Sequence, residues 1–150
     1  MTEVRFYHLR RQPLEAVLPT LIAKTLERGQ RALVQATSPE RLAALDDHLW
    51  TFSDDSFLPH TTDREPDARD QPVVLTLGDR NVNGASVWFL VEGAPLPSDL
   101  ASLERLVLLF DGDDAEALAA ARNGWRTITA AGHDASYWQQ DDRGRWERKA

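Results

Sequence analysis

The chain has no cysteine. That removes disulfide frameworks, thiolate zinc sites and cysteine nucleophiles at once. No apolar run approaches the roughly 18 residues that a membrane helix needs, so no membrane span is expected. The opening Met1-Thr-Glu-Val-Arg-Phe-Tyr7 has no basic region leading into an apolar core, the mark of a secretory signal, and the expected location is cytoplasmic. Neither G-x-G-x-x-G nor G-x-x-x-x-G-K-[ST] occurs. The first strand-to-helix turn, His8-Leu-Arg-Arg-Gln-Pro13, lacks the glycines that let a backbone approach pyrophosphate, which argues against a nucleotide enzyme. No G-x-S-x-G elbow is present either. The four histidines, His8, His48, His60 and His133, are far apart and none pairs with another at ligand spacing. No metal and no cofactor are expected.

What remains is an ordinary globular composition, 42% apolar and 27% charged over 150 residues. Residues 1–150 read as one domain, long enough for a core without covalent staples. The net charge of −7 argues against a broad basic face for nucleic acid. The charge is uneven. Glu40 to Asp70 is strongly acidic, whereas Arg122 to Lys149 carries more basic than acidic residues. An acidic middle and a basic end imply two different surfaces.

Glu3–Leu9 reads as a first strand. Pro13 opens a helix as its first residue, with Leu14, Val17, Leu18, Leu21, Ile22 and Leu26 at helical spacing and Gly29 as its stop. Arg31–Gln35 is a second strand. A helix follows from Thr37-Ser-Pro-Glu40, started by a capping box or by a Ser38 cap before Pro39, with Leu42, Leu45 and Leu49 inward. Trp50 to His60 has no helical period, and Thr61 to Gln71 reads as a polar loop. Val73–Leu77 and Ser86–Val91 are strands, the second apolar throughout and therefore central. A short helix is expected after Pro97 around Leu100 and Leu103. Arg105–Phe110 is a strand, Asp113-Asp-Ala-Glu116 is a capping box for a helix ending before Gly132, and two short strands close the chain around the turn Asp141–Gly144. The alternation predicts an α/β domain with a mostly parallel sheet and helices on both faces.

Two constellations carry chemistry. Arg122, Trp125 and Arg126 share one helical surface by their spacing. Two guanidiniums grip carboxylates and the indole adds an apolar wall. The alternative is a core tryptophan beside arginines that suit a helix C-terminus. Trp50, Phe52, Phe57, Pro59 and His60 form the second. They are either a small core holding a loop or an exposed protein-binding patch. Asp46-Asp47-His48 reads as a solvated helix face, since adjacent helical residues diverge.

The ordered set Phe6-Tyr-His-Leu9, Leu45-Asp-Asp-His-Leu-Trp50, Ser56-Phe-Leu-Pro-His60, Phe110-Asp-Gly-Asp-Asp114, Ala121-Arg-Asn-Gly-Trp-Arg126, Gly132, Tyr137-Trp138 and Gly144-Arg-Trp146 closely resembles the chi subunit family of bacterial DNA polymerase III holoenzyme. The resemblance implies a Rossmann-like, three-layer α/β/α domain without a nucleotide-binding loop and without catalysis. It implies a replication adaptor. One surface would bind the acidic C-terminal tail of single-stranded DNA-binding protein, which ends in Pro-Phe, through Arg122, Trp125 and Arg126. Another, at Trp50, Phe52, Phe57, Pro59 and His60, would dock the psi subunit or another clamp-loader component, and in some relatives a helicase-like protein.

Two other readings stand beside it. One is a small-substrate α/β enzyme using Asp46, Asp111 or His60 as acid or base. The other is direct single-strand binding by stacked aromatics. The acidic balance weighs against the latter, so no direct nucleic-acid contact is expected.

Overall fold

Strands that are apolar on both sides must be covered on both faces, and this requirement organises the molecule. The computed structural model describes residues 2–10, 12–51, 58–78, 80–97, 100 and 102–150. Its elements are β1 (Glu3–Leu9), α1 (Leu14–Glu27), β2 (Ala32–Gln35), α2 (Pro39–Thr51), β3 (Thr61–Thr62), β4 (Val73–Thr76), β5 (Val87–Val91), β6 (Arg105–Asp111), α3 (Ala115–Ala130), β7 (Asp134–Gln140) and β8 (Trp146–Arg148). A 3₁₀ turn, Ala68–Asp70, precedes β4. The eight strands form one sheet in the order β3-β4-β2-β5-β6-β1-β7-β8. Every pairing is parallel except the β7–β8 hairpin.

The sheet divides the core in two. Helices α1 and α2 pack Leu18, Ile22, Leu45 and Leu49 against Val34, Phe89 and Val107 on one face. Helix α3 packs Ala121 and Ile128 with Val4, Phe6 and Leu106 on the other. This is a three-layer α/β/α domain, as expected. β5 lies in the middle of the order and is buried at every position.

The helix ends follow local chemistry. Ser38 caps α2, its Oγ accepting from Arg41 N–H at 3.2 Å, with Pro39 as the first helical residue. Gly29 and Gly132 adopt φ of +74° and +83°. Each closes a paired turn, as when His133 N–H bonds Ile128 C=O and Gly132 N–H bonds Thr129 C=O.

Inside α1, Pro19 has no N–H to give the Glu15 carbonyl one turn earlier. His48 Nε2, from α2, donates to that carbonyl at 2.6 Å. A backbone acceptor orphaned by sequence is thus satisfied across the helix pair.

Several expectations shift. Pro13 precedes α1 as its N-cap rather than starting it. Asp114, rather than Asp113, caps α3, accepting from the N–H groups of Glu116 and Ala117. Trp50 lies on the last turn of α2, because the Leu42-Leu45-Leu49 stripe keeps the helix on the core through Thr51. The polar stretch 61–71 holds the edge strand β3 and the 3₁₀ turn. Around Leu100 and Leu103 the described residues form no helix. The buried Thr2 hydroxyl bonds the carbonyls of both residues, so this loop is held by β1 and its apolar spacing reflects docking.

Candidate functional site

The first candidate lies between α3 and β7. Helix α3 meets the sheet over Phe6, where a Cβ added at the buried Gly124 would make only ordinary contact with the ring, at 3.5 Å. The next residue, Trp125, packs edge-on to Phe6, with centroids 5.4 Å apart, and stands 6.2 Å from the ring of Tyr137 on β7. Between them opens a notch of about 310 Å³, lined by Arg122, Trp125, Arg126, Tyr137 and Ala150. Both arginines are exposed while the two rings are half-buried. The three residues grouped by spacing do share one surface. The alternative of a plain core tryptophan is only half right, because Trp125 is both core wall and notch wall.

Tyr137 was not assigned a role from sequence, although two consecutive aromatics on a strand, which must face opposite sides, were a signal. It is positioned from beneath. Its hydroxyl lies 2.8 Å from His8 Nδ1, and Phe110 packs 6.0 Å from its ring. Burial pushes the Tyr137 phenol up, while the nearby Arg122 charge pulls it down. His8 is itself held down by burial and by the Arg10 charge, against Asp113 and Asp111. Its ring covers Gly112, where a Cβ would fall 1.7 Å from His8 Nε2. Behind the notch, Lys149 N–H bonds the Tyr137 carbonyl at 2.7 Å, so the segment after β8 forms the outer wall.

The second candidate lies at the opposite edge of the sheet. Trp50 is 48% exposed, with its ring 4.2 Å from that of His60. His60 and Leu58 are buried. His60 Nδ1 donates to the Leu58 carbonyl at 2.6 Å, and Nε2 lies 3.1 Å from both the carbonyl and Oδ1 of Asp46. Leu58 and His60 thus behave as a small core that pins the chain to α2, with Pro59 half-buried between them, whereas Trp50 faces outward. Phe52 and Phe57 lie outside the described residues. Leu77, 37% exposed, borders a groove with Leu42, Asp46 and Thr62 beside this bolt. Leu77 and Trp50 are the exposed large apolar side chains among the described residues.

The residues of the enzyme reading are partly brought together. Asp46 reaches His60, but the His60 side chain is fully enclosed. Asp111 is far along the sheet at the end of β6, where its Oδ1 accepts from Asp113 N–H in a turn. A crevice of about 760 Å³ opens at the carboxyl ends of β1 and β6. Ligands of open α/β sheets bind at such a point, where helices leave to opposite faces. Here five carboxylates (Glu15, Glu92, Asp111, Asp114 and Glu116) line it against Arg10 and Arg41. Arg41 is clamped by Glu15 at 2.7 Å and Glu92 at 2.8 Å, and hydrogen bonding from Arg41 holds the Glu15 carboxyl below its ordinary range. A phosphate meets net repulsion in this crevice. Among the described residues, no cluster of three or more His, Asp or Glu is arranged to hold a metal ion.

The family model described as "DNA polymerase III chi subunit, HolC" matches residues 1–136. A curated protein of Rickettsia prowazekii (strain Madrid E), named "Probable DNA polymerase III subunit chi", is 26% identical over 103 residues. The alignment covers 69% of this chain, which spans 60% of that relative's length. The Arg122, Trp125 and Arg126 triad and the α2 face fall within the family match, whereas Tyr137 and the β8 hairpin follow it.

Proposed function

The chain belongs to the DNA polymerase III chi subunit family, and from that membership we propose that it is a replication adaptor with two docking surfaces. The family is that of an accessory, non-catalytic subunit. In this reading the notch between α3 and β7 takes the acidic, Pro-Phe-ended tail of single-stranded DNA-binding protein. The α2 face takes psi or another clamp-loader component.

The observation that carries the reading is the union of two exposed guanidiniums with an aromatic notch about 310 Å³ in volume. Arg122 and Arg126 offer charge-assisted hydrogen bonds to carboxylates. Trp125 and Tyr137 offer apolar walls to a terminal phenyl ring. Geometry also favours bridging. From β3 to β7 there are six strand intervals, which at about 4.8 Å each separate the surfaces by roughly 29 Å. Partners at the two ends have room to bind together.

The test is calorimetry with an acidic peptide ending in Pro-Phe. Arg122→Ala and Arg126→Ala each remove a charge-assisted hydrogen bond worth about 1.5–3 kcal/mol, so affinity should fall roughly tenfold or more. Affinity should also fall with added salt. Unchanged affinity in both variants would refute the assignment.

A further inference from the structure

Net charge averages over a surface, and the fold concentrates what the average hides. Opposite the candidate tail notch, on the α1 face of the sheet, lies a groove of about 290 Å³ between α1 and the strands β1, β6, β7 and β8. Arg5, Lys24, Arg28 and Arg105 line it, together with Trp138 and Trp146. Among the described residues no aspartate or glutamate lines it. These four cations come from three distant stretches of an acidic chain, and only the fold gathers them.

The groove has two walls of different character. Lys24 in the last turn of α1 and Arg28 at its C-cap stand four residues apart, both exposed. Facing them, Trp138 on β7 and Trp146 on β8 are half-buried around Tyr7, at 6.4 Å and 4.8 Å between centroids. Arg5 lies over the Trp138 ring, its guanidinium 5.7 Å from the centroid. Outside the lining, Glu3 is shared by Arg5 and Arg105. One carboxylate thus serves two guanidiniums, and the groove keeps a local surplus of positive charge. The Arg105 Nε is buried without a hydrogen-bond partner of good geometry. Arg148, two residues beyond Trp146 on the same strand, projects to the same face by alternation.

We propose that this groove binds single-stranded nucleic acid, its cations contacting phosphates and its indoles stacking bases. Cations that track a backbone beside rings that take bases are the working parts of sequence-tolerant single-strand binding. A duplex keeps its bases stacked and offers the indoles nothing. An acidic peptide ending in Pro-Phe satisfies the cations but brings one aromatic ring for two indoles. The groove is separate from the notch, since Tyr137 and Trp138 are consecutive on β7 and point to opposite faces. The proposal therefore does not depend on tail binding.

The test is fluorescence anisotropy of a labelled oligothymidine of roughly 15 nucleotides, near the upper end of single-module site sizes. The slope of log affinity against log salt is about −0.7 per phosphate contact, so four contacts give about −2.8 and a roughly 50-fold loss between about 50 and 200 mM salt. In the double variant Lys24→Ala/Arg28→Ala the slope should halve, to about −1.4, leaving only about a sevenfold loss over the same range. Both replaced residues are exposed, so melting should stay unchanged and separates lost contacts from lost fold. The Arg122→Ala/Arg126→Ala variant should bind the oligonucleotide as the unaltered chain does. Absence of saturable binding at low salt would overturn the proposal. So would a slope indifferent to Lys24 and Arg28, or a groove that takes an acidic peptide and excludes the oligonucleotide.

Discussion

Replacing Gly112 by alanine tests how the candidate notch is built. Among the glycines with positive φ, backbone conformation explains the residue, but Gly112 is not one of them. What it lacks is space, because an added Cβ would fall 1.7 Å from His8 Nε2 and 2.0 Å from His8 Cδ2. The imidazole has little freedom to yield. Phe110 lies 5.3 Å from its centroid, Tyr137 lies 6.0 Å away, and its Nδ1 is engaged with the Tyr137 hydroxyl at 2.8 Å. Overpacking of this kind costs about 1–3 kcal/mol, and the broken hydrogen bond adds about 1 kcal/mol. The sum is roughly 2–4 kcal/mol, which for a domain of this size lowers Tm by on the order of 10 °C. Thermal melts should be run on Gly112→Ala, His8→Ala and the double variant. The two changes touch one contact, so the double variant should lose less than the sum of the singles, by about 1–3 kcal/mol. Tyr137 loses its support in all three, so affinity for the acidic peptide should drop with each. A Gly112→Ala protein that melts with the unaltered chain, or strict additivity, would refute the reasoning.

At the α2 edge, Trp50→Ala and Leu77→Ala should weaken docking to clamp-loader components while the protein stays folded, as pull-downs beside melting curves will register. His60→Ala should instead destabilise by about 2–4 kcal/mol, since it strips partners from buried groups and leaves a cavity. Replacing His48 by alanine should cost about 1–3 kcal/mol by leaving the Glu15 carbonyl without its partner. In a Pro19→Ala background, where the helix supplies its own N–H, denaturant titrations should show a smaller penalty for the same replacement. His8 has a folded pKa depressed below its ordinary 6.5 by burial and Arg10, with Asp111 and Asp113 opposing. The unfolded chain therefore takes up the proton first on acidification. The contribution is complete above about pH 6.5 and is lost as pH falls toward the folded value. Melts across that window should slope less steeply in His8→Gln.

Much of the architecture was legible because period and punctuation agree. The unbroken apolar run of Val87–Val91 announced a central strand, and Gly29 and Gly132 marked helix ends that the structure closes with paired turns. Trp50 was misread as irregular because Pro59 and the polar run around it masked the last turn of α2. The pair Leu100 and Leu103 looked helical because two loop residues, one half-buried and one buried, happen to pack inward three apart. Of the candidate notch, the helical half was visible, since Arg122, Trp125 and Arg126 lie within one turn and a half. Its strand half was not, because Tyr137 reaches Trp125 only through the insertion of β1 between β6 and β7. The cationic groove was invisible for the same reason, and the charge total pointed the other way.

The hairpin at the end of the chain has a role beyond closing the sheet. Asp141 Oδ1 accepts from the N–H groups of Arg143 and Arg145, at 2.8 and 2.9 Å, and Gly144 supplies a φ of +80°. This turn sets how β7 meets β8, pairing Gln140 with Trp146 and Trp138 with Arg148. The phase of β7 is held on its other side by β1, so what the turn decides is the phase of β8. A shift of β8 by one residue would send its side chains through the sheet. Trp146 would leave the α1 face, where it packs on Tyr7, and Glu147 would take its place. One aspartate in a surface turn thus decides whether the groove is walled by an indole or by a carboxylate.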